Sequence, residues 1–200
     1  MSKRLCKALP MLCVALAVVL LGTVAVAQDV FQVNYFTNAQ TAGAPGANVY
    51  IDNPGANNWR PLCAMIYVFS ADQQMDECCG CYESHDNLNT LSVNTDLTSN
   101  PLTGRFNHRG VIKIVSAPVI NGLCDPTGNF TPTPDLRAWA THIQDRIPLG
   151  SFMGAYNPVT EDEFLDARLS SAELSALQAQ CYFINVLGSG HGICSCGQRT

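Results

Sequence analysis

The chain reads as mainly β: a disulfide-stabilised β-sandwich with a C-terminal α-helical segment packed on it. Three observations predict this. Short segments alternating apolar and polar residues recur with turn formers between them. One segment, Leu62 to Phe69, is continuously apolar and rich in β-branched and aromatic residues, as expected of a strand buried on both faces. Near the C-terminus Leu174, Leu177, Cys181 and Ile184 recur at helical spacing.

In chain order, the first feature is a leader. Lys3, Arg4 and Lys7 precede an apolar run from Met11 to Leu20, and Ala25-Val26-Ala27 fits the small-x-small site that a signal peptidase cuts after. Residues 1–27 are therefore read as a signal peptide and Gln28 as the first mature residue. The alternative is a retained transmembrane anchor, which the length of the run allows. Cys13 lies inside the run and lacks the small residue before it that lipidation requires. No twin-arginine pair is present, so export follows the general route, unfolded.

Residues 28–120 read as the sandwich core. Phe31 to Tyr35, Asn48 to Asp52 and Asn89 to Asn94 alternate, and Gly110 to Val115 is a further strand. Asn53 to Asn58 and Asp96 to Gly104 are loops. Ser70 to Glu77 reads as a polar approach to the cysteine cluster. Residues 121–200 read as loop, helix and a cysteine-rich tail within the same domain. A short helix is expected over Leu136 to Ile147, ended by Pro148. Thr160-Glu161-Asp162-Glu163 has the form of a capping box and predicts a helix to about Arg168. Ser170 to Glu173 repeats the form ahead of the apolar stripe, with Gly188 as the stop.

Charge excludes some partners. Charged residues are 14% of the chain and its formal net charge is −5. Removing the leader removes basic residues only, so the remainder is more acidic still. Nucleic acid and anionic membranes both need clustered Lys and Arg, and neither is expected as a partner. No stable membrane span is expected after cleavage.

The cysteines carry the chemistry. Of ten, Cys6 and Cys13 lie in the leader, leaving Cys63, Cys78, Cys79, Cys81, Cys124, Cys181, Cys194 and Cys196. An even set in an exported chain predicts a disulfide framework. Bonds between near neighbours in Cys78-Cys79-Gly80-Cys81 or Cys194-Ser195-Cys196 would be strained. At least one bridge is therefore expected from the first cluster to Cys194 or Cys196, closing a loop worth about 4 kcal/mol in the chain-entropy picture. The alternative is a zinc or copper site built from Cys78, Cys79, Cys81, His191, Cys194 and Cys196, although the spacings are not the usual zinc pairs. Cys78 and Cys81 also have the spacing of a thiol–disulfide catalyst, but Asp76 and Glu77 beside them would raise a thiol pKa.

Other residues give weaker signals. Asp76, Glu77, Glu83 and Asp86 could hold calcium, but the EF-hand pattern is absent. His85, His108, His142 and His191 show no spacing that marks a triad. Trp59, Tyr67, Tyr82 and Trp139 could stack on a sugar, with Tyr67 better placed in the core strand and the two tryptophans too few for a platform.

Cys78-Cys79-Gly80-Cys81, the stretch from Leu91 through Asp96 to Thr103, and the tail Gly188 to Gly197 resemble uncharacterised exported cysteine-rich proteins of environmental, acidobacteria-type bacteria. The likeness implies an exported context and supplies no catalytic residue. The reading is thus a secreted, periplasmic or cell-envelope structural or binding module with a protein or glycan surface ligand. A thiolate–histidine metal protein comes second, and a thiol–disulfide or hydrolytic enzyme third. No catalytic residue and no cofactor is assigned.

Overall fold

The computed structural model describes residues 31–56, 58–142 and 160–197. The leader and cleavage site expected over residues 1–27, and the alternative anchor, lie outside them. Nine strands and one helix are described: β1 Phe31–Thr37, β2 Asn48–Asp52, β3 Leu62–Ser70, β4 Met75–Glu83, β5 Leu88–Ser92, β6 Arg109–Pro118, β7 Arg137–His142, β8 Thr160–Glu163, β9 Leu165–Ala167 and α1 Ser171–Leu187. A π-helical turn, Val93–Leu97, follows β5. The strands form two antiparallel sheets, a larger one in the order β4-β3-β6-β1-β9 and a smaller one in the order β5-β2-β7-β8.

The sheets pack face to face as a sandwich, and the helix adds a third layer. β3 shows why. Leu62, Ala64, Ile66 and Val68 point into the core between the sheets, with Ile112, Ile114, Val49, Ile51, Leu91, Ala138 and Ala140. The alternate residues Cys63, Met65, Tyr67 and Phe69 point the other way, into a second core with Val115, Phe130, Leu177, Cys181 and Ile184. All nine residues of β3 are buried, as its unbroken apolar run predicts. The larger sheet is thus covered by the smaller sheet on one face and, over β3, by the helix on the other, where Tyr35, Tyr82 and Leu165 stay exposed around that second core.

The helix follows its sequence signals. The Ser170 side chain accepts from the Glu173 backbone N–H at 3.0 Å, and Gly188 ends the helix in the left-handed region at φ 57°. Leu177, Cys181 and Ile184 are its buried face. Lys113 on β6 fixes its first turn through a 2.6 Å ion pair with Glu173.

Three expectations are overturned. The described part of the helix expected over Leu136 to Ile147 is strand β7, in which Ala138, Ala140 and His142 face inward and Arg137, Trp139 and Thr141 outward. Alanine at every second position suits a strand that must approach a facing sheet closely, and the period of two wins over alanine's helix preference. The capping-box segment from Thr160 is not helical. It forms β8 on the edge of β7, then β9 on the edge of β1, with Phe164 buried at the corner between the sheets. Pairing of two open edges overrides the local cap. Finally, Met75 to Glu83 is a full strand, although Asp76 and Glu77 near its start are charged. With β7, β8 and β9 in the two sheets, the sandwich extends past residue 120.

Gly80 marks the tightest approach. A Cβ built there would lie 2.2 Å from the Cys124 carbonyl oxygen, so only glycine lets the 119–134 loop close over β4 and join Cys124 to Cys63. Gly80→Ala is expected to cost about 2 kcal/mol or more through overpacking. Thermal melting checks the loss, and alkylation checks whether Cys63 and Cys124 then remain unbonded.

Candidate functional site

The cysteine constellation resolves into a fastening. The bonds are Cys63–Cys124, Cys78–Cys181, Cys79–Cys194 and Cys81–Cys196, with Cα separations of 5.4, 5.9, 5.3 and 5.3 Å. Side chains alternate across a strand, and β4 uses that alternation. Cys78 faces outward and bonds the helix, whereas Cys79 and Cys81 face the inter-sheet core and bond the tail. The tail lies parallel to β4. The Cys78 N–H donates to the Gly192 carbonyl at 2.8 Å, and the Gly192 N–H to the Asn100 carbonyl at 2.7 Å. The Ser195 N–H donates to the Asp96 carbonyl at 2.8 Å, and the Asn89 amide to the Cys196 carbonyl at 3.4 Å. The tail therefore bridges the β4 edge of one sheet and the β5 edge of the other.

This geometry does not assemble the six-residue metal set. The Cys79, Cys81 and Cys196 sulfurs lie within 4.8 Å of one another, but they are spent in bonds to Cys194 and to each other. Cys78 leaves by the opposite face of the strand, and His191 is exposed in the tail. Sulfur in a disulfide is not the thiolate that zinc or copper takes. Cys78 and Cys81 are likewise not partners, so the spacing of a thiol–disulfide catalyst is not realised.

The acidic residues separate too. Glu77 and Glu83 extend the inward row of β4 on either side of Cys79 and Cys81, and both are fully buried. Glu77 accepts from the Asn100 N–H at 2.7 Å, and its other oxygen has no partner. Glu83 accepts from the Asn87 and Asn89 amides at 2.8 and 2.9 Å. Burial pushes both carboxyls up to about 7, against the pull of those donors. Asp86 is exposed in the β4–β5 turn and Asp76 binds the Asn107 amide, so no calcium cage forms from these four. The histidines are also dispersed. His85 pairs with Asp86, His108 with the Ala39 carbonyl, and buried His142 stacks on Tyr35 at 4.2 Å. Burial holds the His142 imidazole below its usual range, with Asp162 nearby acting against it.

The outer face of the smaller sheet is open. Inward residues Val49, Ile51, Leu91, Ala138 and Ala140 are buried, so the alternate residues of β2, β5 and β7 face solvent. Register places Tyr50 directly between Trp139 and Thr90, with Glu163 beyond Trp139. On one side of this row lie Asp52, Arg137 and Leu88, and on the other Asn48, Thr141, Ser92 and Glu161. Tyr50 and Trp139 are half-exposed on directly opposed positions, where side chains are neighbours.

A third ring stands at the Asp52 end. Trp59 is 66% exposed and sits edge-on to His85 with ring centroids 5.1 Å apart. It is held at φ 61°, a rare conformation for a bulky residue that persists where surrounding bonds impose it. The Trp59 N–H donates to the Gly55 carbonyl at 3.3 Å, and fully buried Asn53 ties down the loop around it. Its side-chain amide donates to the Arg60 and Glu83 carbonyls at 3.0 and 3.1 Å, and its backbone carbonyl accepts from the Asp86 N–H at 2.8 Å. Of the other aromatics considered, Tyr67 is core, with its hydroxyl donating to the Pro126 carbonyl, and Tyr82 belongs to the larger sheet. Tyr50 was missed. Its signal was its place on the polar phase of the 48–52 alternation, beside Asn48 and Asp52.

The chain matches no known protein family, no curated protein and no solved structure.

Two outcomes follow. Residues 28–200, unfolded without reductant, are expected to show no thiol reactive to a colorimetric reagent and no stoichiometric zinc or copper by elemental analysis. The second concerns pH. Glu77 is neutral in both states below its ordinary 4.5, and above about 7 its charge must be buried, so its contribution to stability falls as pH rises between those values. The full penalty is about 3 kcal/mol. Glu77→Gln should therefore gain on wild type at pH 8 and lose that gain at pH 4, read as the difference between two melting curves. Buried His142 acts in the opposite sense in both proteins and cancels.

Proposed function

We propose that this chain is an exported, disulfide-locked binding module of the cell envelope or exterior, and that it holds its ligand on the open face of the smaller sheet. One observation carries the reading. The helix and the 119–134 loop cover β3 on the outside of the larger sheet, whereas no described element covers the outer face of the smaller sheet, and that face carries Tyr50 and Trp139 among hydroxyl, amide and carboxylate groups. Half-buried aromatic rings combine apolar area with a polar tip and are favoured at recognition surfaces.

Export is supported by the leader pattern and by bonds closing 61 to 115 residues. Among the described residues no helix is long and apolar enough to cross a membrane.

The test uses purified residues 28–200 and the washed envelope and extracellular matrix of the producing cells. Wild type should sediment with that fraction. The double variant Tyr50→Ala Trp139→Ala should lose about tenfold in affinity, about 1.4 kcal/mol. Tyr182→Ala, on the exposed side of the helix, should bind as wild type does. Equal binding by all three, or none by any, overturns the reading.

A further inference from the structure

The open face also restricts the kind of ligand. This inference rests on the reading above and names the chemistry of the same site. We propose that the face binds a neutral polysaccharide chain of equatorially linked pyranose units, laid across β5, β2, β7 and β8.

Three features point there. The first is the mixture of groups. An equatorially substituted pyranose shows C–H groups on its ring faces and hydroxyls around its rim. Such a unit needs a flat aromatic surface below and hydrogen-bonding groups beside it. Tyr50 and Trp139 supply adjoining rings, and Asp52, Arg137, Thr90 and Glu163 border them on the same face. A purely apolar partner would leave those polar groups without water or partner, at a cost of about 1–3 kcal/mol for each group so buried.

The second is charge. The surrounding carboxylates Asp52, Glu161 and Glu163 outnumber the single guanidinium of Arg137, and the whole chain carries −5. That field repels uronate-rich, sulfated or phosphate-bearing polymers and tolerates uncharged ones.

The third is extent. Neighbouring strands lie about 4.8 Å apart, so the sheet is about 14 Å wide from β5 to β8. That width accommodates a short run of sugar units, not a single one. Trp59, in the loop that follows Asp52 and β2, offers a further exposed ring at that end of the sheet. The Asn53 bonds that hold its loop also limit the ordering entropy that binding would cost.

Native gels cast with hydroxyethylcellulose, xyloglucan or glucomannan test this beside gels of alginate and polygalacturonate. Wild type should be retarded by at least one neutral polymer and by neither anionic one. Trp139→Ala and Tyr50→Ala should each weaken retardation about threefold, and Trp59→Ala by a smaller factor. A second readout needs no variant. The chain has two tryptophans, so peptide-resolved N-bromosuccinimide oxidation should slow at Trp139, and less at Trp59, when the retarding polymer is present.

Retardation by the anionic gels alone overturns the proposal, as does unchanged oxidation at Trp139 in the presence of every neutral polymer. A dimer that Trp139→Ala dissolves would assign the face to a second copy of the chain and overturn it as well. If the envelope fraction binds while every neutral polymer fails, the saccharide class falls and the binding module stands. If both fail, both fall.

Discussion

The alternation of side chains along one strand governs this molecule. Within Cys78-Cys79-Gly80-Cys81, successive residues of β4 address opposite layers. Cys78 takes hold of the helix, Cys79 and Cys81 take hold of the tail, and Gly80 yields space to the loop that Cys124 anchors. A slip of one residue in the β3–β4 register would exchange all of these assignments at once. Four separate attachments are therefore set by one pairing, that of Ala64 to Cys81 and its neighbours.

The same strand explains where the buried charge sits. β4 is the outer strand of its sheet, and an uncovered edge would present unpaired backbone groups. The tail covers it and seals the seam to β5, and Glu77 and Glu83 are enclosed beneath that cover. On the far side, the passage from β8 through Phe164 to β9 ties the two sheets together in the same way. Both flanks are bound and one layer is helical, which leaves the outer side of the smaller sheet as a broad uncovered surface.

Much of this was legible from residues alone. The strands over 31–37, 48–52, 62–70 and 109–118 announce themselves by alternation or by unbroken apolarity, and the helix by its cap and stripe. What failed were segments whose local signals are outvoted from a distance. Thr160 to Glu163 carries a good helix cap, yet the open edge of β7 recruits it. Arg137 to His142 shows a period of two, but alanine hides it because it is weakly apolar and helix-prone. Met75 to Glu77 looks solvated because a buried carboxylate cannot be told from an exposed one until the cover above it is known. The bonding pattern of the cysteines is hidden for a related reason: it depends on which face of β4 each one occupies, and no local pattern marks β4 as a strand. The aromatic surface was half visible, since Trp139 and Tyr50 are far apart in sequence and become neighbours only through the β2–β7 pairing.

The tail's bonds also impose an order of assembly. Synthesis runs from the N-terminus, and Cys194 and Cys196 each follow their partners by 115 residues. Until that last stretch of chain has followed, the edge of β4 and its two thiols lack their cover. During that interval the nascent chain exposes a strand edge and reactive sulfur together, a combination that invites pairing with a neighbouring copy or premature oxidation to the wrong partner. Correct oxidation of this protein is accordingly a late event, and the machinery that handles the newborn chain must keep that strand solitary and reduced until the tail emerges.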